Sequence, residues 1–459
     1  MADTAVFIQT VDSSDFPSGP PFLSRVLSGK IFRMNAAAFM QANAREYGDL
    51  VHYRAAGRDA FQFNHPELIQ ELLLRDAPYH HRGIVMQRAK FVLGEGLLTS
   101  EEPLHMRQRR LSQPAFHRDR ISAYGDVIAR FATQMTDKWK SGEVVDLHDE
   151  MLLLALRIVG KCLFDADVES DVHRIESAVD AFMGFLPLVF LPFSQLIERL
   201  PIGPMQRIRR ARIELDRLIY GIIAERRREP GDRGDLLSML LASVDTEENS
   251  GQMSDRQVRD ECLTVLLAGH ETTANGLSFA LWLLAKHPEI QEQLHAECAA
   301  VMGDRPACAA DYGRLPLAQM IFAETMRLYP PVWVTARTAA VSYEYRGFRI
   351  SEGSLLLAPQ IAVHRDPRFY KAPEIFDPQR FSDAGKAGRP RFAYFPFGAG
   401  SRQCIGEGLA WMEGALTLAT IVRQWRLTLP KDSASDLAVS PMITLRPKHG
   451  LPLLIEKRT

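Results

Sequence analysis

The chain has 459 residues, 46% of them hydrophobic and 24% charged, which is enough for a large buried core and too apolar for intrinsic disorder. A formal net charge of -1 excludes a global field for nucleic acid or an anionic membrane, so any charged partner must be met by a local patch. Five cysteines (Cys162, Cys262, Cys298, Cys308, Cys404) follow no regular spacing, and an odd count in so long a chain fits a reducing cytoplasm without disulfides.

The opening MADTAVFIQTVDSSDFPSGPP holds only a short, interrupted apolar run with no basic leader, so neither a signal peptide nor an anchor is expected. LVHYRAAGRDAFQFN, residues 50 to 64, predicts two short strands about a turn at Gly57, followed by a helix that opens at Pro66. From about residue 67 to 329 apolar residues recur at helical spacing, with breaks at Pro114, Pro201 to Pro204 and Pro230 to Gly234. The longest apolar run, FMGFLPLVFLPF at 182 to 193, falls short of the ~20 residues of a spanning helix and contains Pro187 and Pro192.

Strand patterns return after residue 340 in YEYRGFRI, SLLLAPQ, PMITLRP and LPLLIE, the last two flanking a turn at Lys448, His449 and Gly450. A strand near the N-terminus is expected to pair with strands after 340. The chain then reads as a single domain over 1–459: a β-rich part at about 45–66, a helical body at about 67–329, and C-terminal β segments from about 340.

Within the helical body, Ser254 and Gln257 have capping-box spacing, and Lys286, His287 and Pro288 form a stop, predicting a helix of about 33 residues. Ala268, Thr272 and Gly276 are four apart on it, beside Gly269 and Thr273. An interior glycine costs about 1 kcal/mol relative to alanine, so Gly269 and Gly276 imply either tight helix packing or close approach of a flat ligand. Glu271 beside Thr272, midway along an apolar helix, needs a partner or a task.

Upstream, His105 and Arg109 share one helical face, and downstream Glu324 and Arg327 stand three apart on a helix running from near Pro316 to before Pro330. Residues 395 to 406, FPFGAGSRQCIG, place Cys404 among Gly398, Gly400 and Gly406, which permit positive φ. Leu409, Met412, Leu416 and Ala419 then recur at helical spacing, so Cys404 lies at or just before a helix N-terminus, whose N–H groups favour a thiolate. On these residues alone Cys404 is a small buried hydrophobe, a nucleophile or a metal ligand. The nucleophile reading lacks a histidine in a motif that suggests a base.

The pattern Phe397-x-x-Gly400-x-Arg402-x-Cys404-x-Gly406 closely resembles the haem-binding loop of the cytochrome P450 monooxygenases. AGHETT, 268 to 273, resembles the oxygen-activation motif of the same family, and Glu324-x-x-Arg327 with Arg380 resembles its Glu-x-x-Arg cluster. Together these segments run in the family's order from about residue 90 to the C-terminal strands. The implied fold is mainly α with small β-sheets, a triangular prism with haem b between the long helix and the cysteine loop.

The resemblance implies that Cys404 is the axial iron ligand and that Phe397, Gly398, Gly406, Ala268 and Gly269 lie beside the haem. Thr272 would donate a hydrogen bond to the dioxygen substrate and Glu271 would relay protons. His105, in place of the family's usual tryptophan, Arg109, Arg337 and Arg402 would hold the haem propionates. Residues 84 to 98, the 182 to 193 segment, Val332, Trp333, Val334, Thr335, Pro441, Met442 and Ile443 would wall a pocket for a lipophilic substrate such as a fatty acid or terpenoid. Electrons would come from NAD(P)H through a separate ferredoxin or flavodoxin and its reductase, with Arg107, Arg110 and neighbours either a docking patch or a solvated face. The expected protein is a cytoplasmic monomer with no membrane anchor. A peroxide-driven haem-thiolate enzyme and a non-catalytic haem-thiolate sensor remain as alternative readings.

Overall fold

The structure is a computed structural model and describes residues 16–20, 35–55, 57–166, 168–183, 203–245, 251–431 and 436–458. The expected 182 to 193 pocket segment lies, beyond Met183, outside the described residues.

A first helix, α1 (Ala36–Tyr47), leads into the hairpin β1 (Leu50–Ala55) and β2 (Arg58–Phe63), which turns at Gly57 with φ +76°. β3 (His80–Arg82) and α2 (Ile84–Leu93) precede the helical body of α3 (Leu104–Ser112), α4 (Arg118–Thr136), β4 (Glu143–Asp146), α5 (Leu147–Phe164), α6 (Val172–Met183) and α7 (Gly203–Arg228). The long helix α8 (Asp255–Lys286) is followed by α9 (Pro288–Met302), α10 (Pro316–Leu328), β5 (Thr335–Ala339) and β6 (Leu355–Ala358). The cysteine loop, α11 (Glu407–Gln424), β7 (Trp425–Thr428), β8 (Val439–Pro441), β9 (Leu445–Pro447) and β10 (Pro452–Lys457) complete the chain.

α8 has the predicted capping box: Gln257 N donates to Ser254 Oγ at 3.3 Å, and Ser254 N donates to Gln257 Oε1 at 2.9 Å. It runs through the centre of the molecule against α5, α10 and α11. From Val258 to Ala285 it is buried at every position except Leu267, Ala268, Gly269 and Thr272. Ala268 is the exposed residue among those four, and the other three are half-buried.

The main sheet has the order β1-β2-β6-β5-β3, with β6 parallel to β2 through Leu356↔Phe61, so strands from both ends of the chain share one sheet as expected. The expected C-terminal hairpin across Lys448 to Gly450 does not form. PMITLRP breaks at Met442 to Thr444, so that β8 pairs with β9 while β10 joins β4 and β7. The reason is local: Gly450 has φ +74°, and Leu451 N donates to Asp146 Oδ1 at 2.8 Å, which turns the last strand towards β4. All five cysteines are free, and no described helix is long and apolar enough to cross a membrane.

Candidate haem-thiolate site

The cysteine loop is shaped by backbone bonds and two left-handed glycines. Cys404 N donates to Phe397 O at 2.9 Å, and Gly398 and Gly400 have φ +69° and +71°. A Cβ on Gly400 would sit 2.8 Å from the Leu73 carbonyl oxygen, so both conformation and space require glycine there. Gly406 differs from expectation: its φ is −88°, and a Cβ there would meet the Cys404 sulfur at 4.0 Å, so its smallness keeps space beside the sulfur. The Phe397 ring packs on Trp411 of α11 at 5.6 Å.

The expected ionisation of Cys404 is also corrected. α11 begins three residues beyond it, and burial outweighs the N–H of Gly406 and the charge of Arg109, pushing the thiol up to about 11. Yet the residue is exposed. Desolvation and accessibility coexist only where a side chain opens onto space inside the protein. Burial pushes the other core thiols, Cys162, Cys262 and Cys298, up as well, but none of them is accessible. A thiol in such a place becomes a thiolate when a metal takes the proton's position.

Arg109 is near the sulfur, as the same electrostatics show, and its guanidinium donates to Gln403 O at 2.6 Å, bracing the loop from α3. Behind the loop, Arg327 donates to both oxygens of Glu324 at 2.6 and 2.8 Å and to the carbonyls of His364, Pro373 and Ile375 at 2.9, 2.7 and 3.2 Å. Glu324 and Arg327 are fully buried, and Arg380 approaches Glu324 at 3.4 Å. This cluster is no surface pair: it pins the segment leading to Cys404 through three backbone carbonyls.

A second cluster is cationic. The β3·β5 register sets Arg82 directly opposite Arg337, and like charges across a strand pair repel. Arg402 lies close enough to depress both; burial is the larger cause in each case, holding Arg82 well below the usual range and Arg337 at about 10. Glu101 answers this charge in part, accepting from Arg402 at 2.9 Å and from Arg82 N at 2.8 Å. Arg82 Nε is buried with no hydrogen-bond partner among the described residues. His105 joins through Glu102 at 3.0 Å; burial and Arg402 hold it at about 4, so at neutral pH it is an uncharged imidazole able to donate one N–H. Such an excess of buried cations fits a dianionic ligand, and the two carboxylates of haem meet that description. Arg82 was not among the residues singled out from sequence; the run His80-His81-Arg82 before Gly83 is the only signal it leaves.

On α8, Ala268 is exposed and Gly269 and Thr272 are half-buried in the middle of a buried helix. The two interior glycines answer to packing rather than to a flat ligand. A Cβ on Gly269 would meet Val159 of α5 at 2.7 Å, and one on Gly276 would meet Phe322 of α10 at 3.2 Å. The open face is therefore Ala268 and Thr272, with Gly276 turned to the core. Thr272 Oγ1 donates to Ala268 O at 2.6 Å, and Glu271, buried, accepts from Thr444 Oγ1 at 2.8 Å.

Of the expected pocket wall, Val332 is exposed and Val334, Met442 and Ile443 are half-buried. Trp333 is placed otherwise: it is buried among Ala37, Met40, Phe279, Ile361 and Leu445, and its Nε1 donates to Met442 O at 2.9 Å. Val334 packs against the same cluster, whereas Val332 is exposed. Arg107 is likewise buried, which removes it from any docking surface, while Arg110 is half-buried.

Comparison with known proteins agrees with this geometry. A family model described as Cytochrome P450 matches residues 17–453. Cyclooctatin synthase of Streptomyces melanosporofaciens is 37% identical over 84% of each chain, and pentalenene oxygenase of Streptomyces avermitilis is 34% identical over 90% of this chain and 91% of its own. The crystal structure of the cytochrome P450DA haem domain superposes with a TM-score of 0.84 at 26% identity, covering 97% of this chain and 98% of that one.

Proposed function

The chain belongs to the cytochrome P450 family and is a monooxygenase, and from that premise we propose that it inserts one oxygen atom into a C–H bond of a cyclic, terpenoid-like substrate. The balance is RH + O2 + 2 H+ + 2 e− giving ROH + H2O, with the electrons drawn from NAD(P)H through a separate ferredoxin or flavodoxin and its reductase. Relatives whose names refer to cyclooctatin and pentalenene support the substrate class. The single interlocked domain and a cytoplasmic location belong to the same reading.

The observation that carries it is the cysteine loop: Cys404 is exposed, its N–H is held by the Phe397 carbonyl, and left-handed Gly398 and Gly400 shape the backbone before it. Bound haem supplies the centre at which dioxygen is reduced and its oxygen transferred. The chain's own groups do the rest. Cys404 Sγ would hold the iron, and Arg109 braces the backbone carbonyl next to it. Arg82, Arg337 and Arg402 would neutralise the propionates, which would lower the repulsion among the guanidiniums themselves, with His105 beside them as an uncharged imidazole. Ala268 leaves room over one face, and Thr272 Oγ1 gives up a proton that Glu271 restores. Val332, Val334, Met442 and Ile443 present apolar surface to the substrate and exclude water.

The test uses purified holoprotein. Reduction with dithionite under carbon monoxide is expected to displace the Soret band strongly to the red, and Cys404→Ser to abolish that displacement. Turnover of the cyclic sesquiterpene α-humulene under 18O2 with a [2Fe–2S] ferredoxin and its reductase is then expected to give a product carrying one 18O. A normal-position Soret band would refute the thiolate reading; label arriving from water instead would refute the oxygenase reaction.

A further inference from the structure

Glu271 is tied to a part of the molecule that the motif around it does not contain. Three buried side chains form a chain: Asn275 Nδ2 donates to Thr444 Oγ1 at 3.3 Å, and Thr444 Oγ1 donates to Glu271 Oε1 at 2.8 Å. A hydroxyl has one hydrogen to give. The amide on its lone pair therefore fixes which way that hydrogen points, and it points at the carboxyl. Asn275 is one helical turn beyond Glu271 on α8, so donor and acceptor are held rigidly relative to each other. Thr444 itself comes from a separate element, a turn outside α8.

That turn, between β8 and β9, is also the pocket wall. Met442 N bonds to the carbonyls of Ser440 and Thr444 at 3.1 and 3.0 Å, Met442 O takes the Trp333 indole, and Leu445 N donates to Pro331 O at 2.8 Å. Thr444 follows Met442 and Ile443 directly, so a molecule pressing on those two side chains presses on the hydroxyl that holds Glu271. Thr272, meanwhile, spends its own hydrogen on the Ala268 carbonyl. Both proton-handling groups have protein partners.

We propose that Thr444, oriented by Asn275, is a positioning residue that holds the Glu271 carboxyl and so limits how readily it supplies protons to dioxygen. This rests on the reading of Glu271 and Thr272 as the proton suppliers. The tether bears on the futile one-electron branch, O2 + e− + H+ giving HO2• as the reduced holoprotein returns to its oxidised form, two HO2• then disproportionating to H2O2 and O2.

The experiment needs no substrate. Dithionite-reduced holoprotein, freed of excess reductant, is mixed with oxygenated buffer in H2O and in D2O, and the return of the oxidised spectrum is timed. Thr444→Val, which keeps the shape and removes the hydroxyl, is expected to return about threefold or more faster with a changed H2O/D2O ratio. Thr444→Ser is expected to stay within about twofold of the parent, and the double variant Thr444→Val, Glu271→Gln to lose the gain. A crystal structure of Thr444→Val is expected to show the Glu271 side chain moved from its present position. An unchanged or slower return, or an unmoved carboxyl, overturns the proposal. Should Thr444→Val fail to bind haem, Asn275→Ser, which frees the hydroxyl to turn, is held to the same outcomes. If Glu271→Gln and Thr272→Ala each leave rate and isotope ratio unaltered, the proton-supply reading itself has failed, a result distinct from failure of the tether.

Discussion

Three consecutive charged residues of α8 hold the loop after α2, and one of them carries a pH-dependent strain that a single substitution exposes. Arg259 donates to Val92 O at 3.2 Å, Asp260 accepts from Glu95 N at 2.9 Å, and Glu261 accepts from Leu97 N at 2.9 Å. Arg259 also pairs with Asp260 and, from α7, with Asp216. Glu261 has no such cation; it is fully buried and its Oε1 has no hydrogen-bond partner among the described residues. Burial, reinforced by the charge of Asp260, pushes its carboxyl from about 4.5 up to about 8.

Because the native chain holds this proton more tightly than the unfolded one, stability falls as pH rises through the window from about 4.5 to about 8 and is level on either side. At about 1.4 kcal/mol per pH unit the loss is about 3 kcal/mol at pH 7 and about 5 kcal/mol once the native carboxyl ionises. Glu261→Gln keeps an acceptor for Leu97 N and removes the titration. Near pH 5 the two side chains differ little, each with one polar atom unpartnered. With 459 residues the unfolding entropy is about 1 kcal/mol/K, so the variant's thermal midpoint is expected to match the parent at pH 5 and exceed it by about 3–5 °C at pH 8. Paired thermal scans of the holoproteins at fixed rate measure this. Parallel midpoints across that range would show that Glu261 is not the buried, proton-retaining group described.

Other expectations follow from the same contacts. Arg82→Leu removes one side of the Arg82·Arg337 repulsion, so the haem-free chain should gain stability while haem loss to a competing apoprotein speeds several-fold; faster unfolding of both forms would contradict a ligand-directed charge. Glu324→Ala strands Arg327 in the core at a cost of about 3–5 kcal/mol, measurable by urea titration, and a loss under 1 kcal/mol would refute its role. Gly269→Ala drives a methyl against Val159 at 2.7 Å and should cost about 1–3 kcal/mol, recovered in the double variant with Val159→Ala; failure of that rescue would return Gly269 to the ligand face.

What could be read from sequence was what sits close together in it. The cysteine loop, the capping box of α8 and the Glu324–Arg327 pair depend on spacings within one turn or one loop, and the structure keeps them. Arg82 depends on the register of β3 against β5, two strands far apart in the chain, and nothing local announces that its partner is another arginine. Trp333 was legible as apolar bulk that fits core and pocket equally well, and only its neighbours, Ala37, Met40, Phe279, Ile361 and Leu445, place it in the core. Gly269 and Gly276 had two physical explanations, and only the neighbours, Val159 and Phe322, could choose between them.

These particulars bear on what haem does for the fold. A net charge of -1 conceals a chain in which charge is segregated: guanidiniums of Arg82, Arg337 and Arg402 crowd one end of the site, and the carboxyls of Glu261 and Glu413 are buried without cations, each pushed up by desolvation. The carboxyls relieve themselves by keeping a proton. Arginine has no such escape near neutral pH, because its ordinary value lies too high for deprotonation to be cheap. Repulsion at that end can be met only by anions, and Glu101 and Glu102 supply two charges against three. Bound there, the dianionic cofactor would be a structural counter-ion as well as a reaction centre, and part of its binding free energy would be relief of electrostatic repulsion among these guanidiniums.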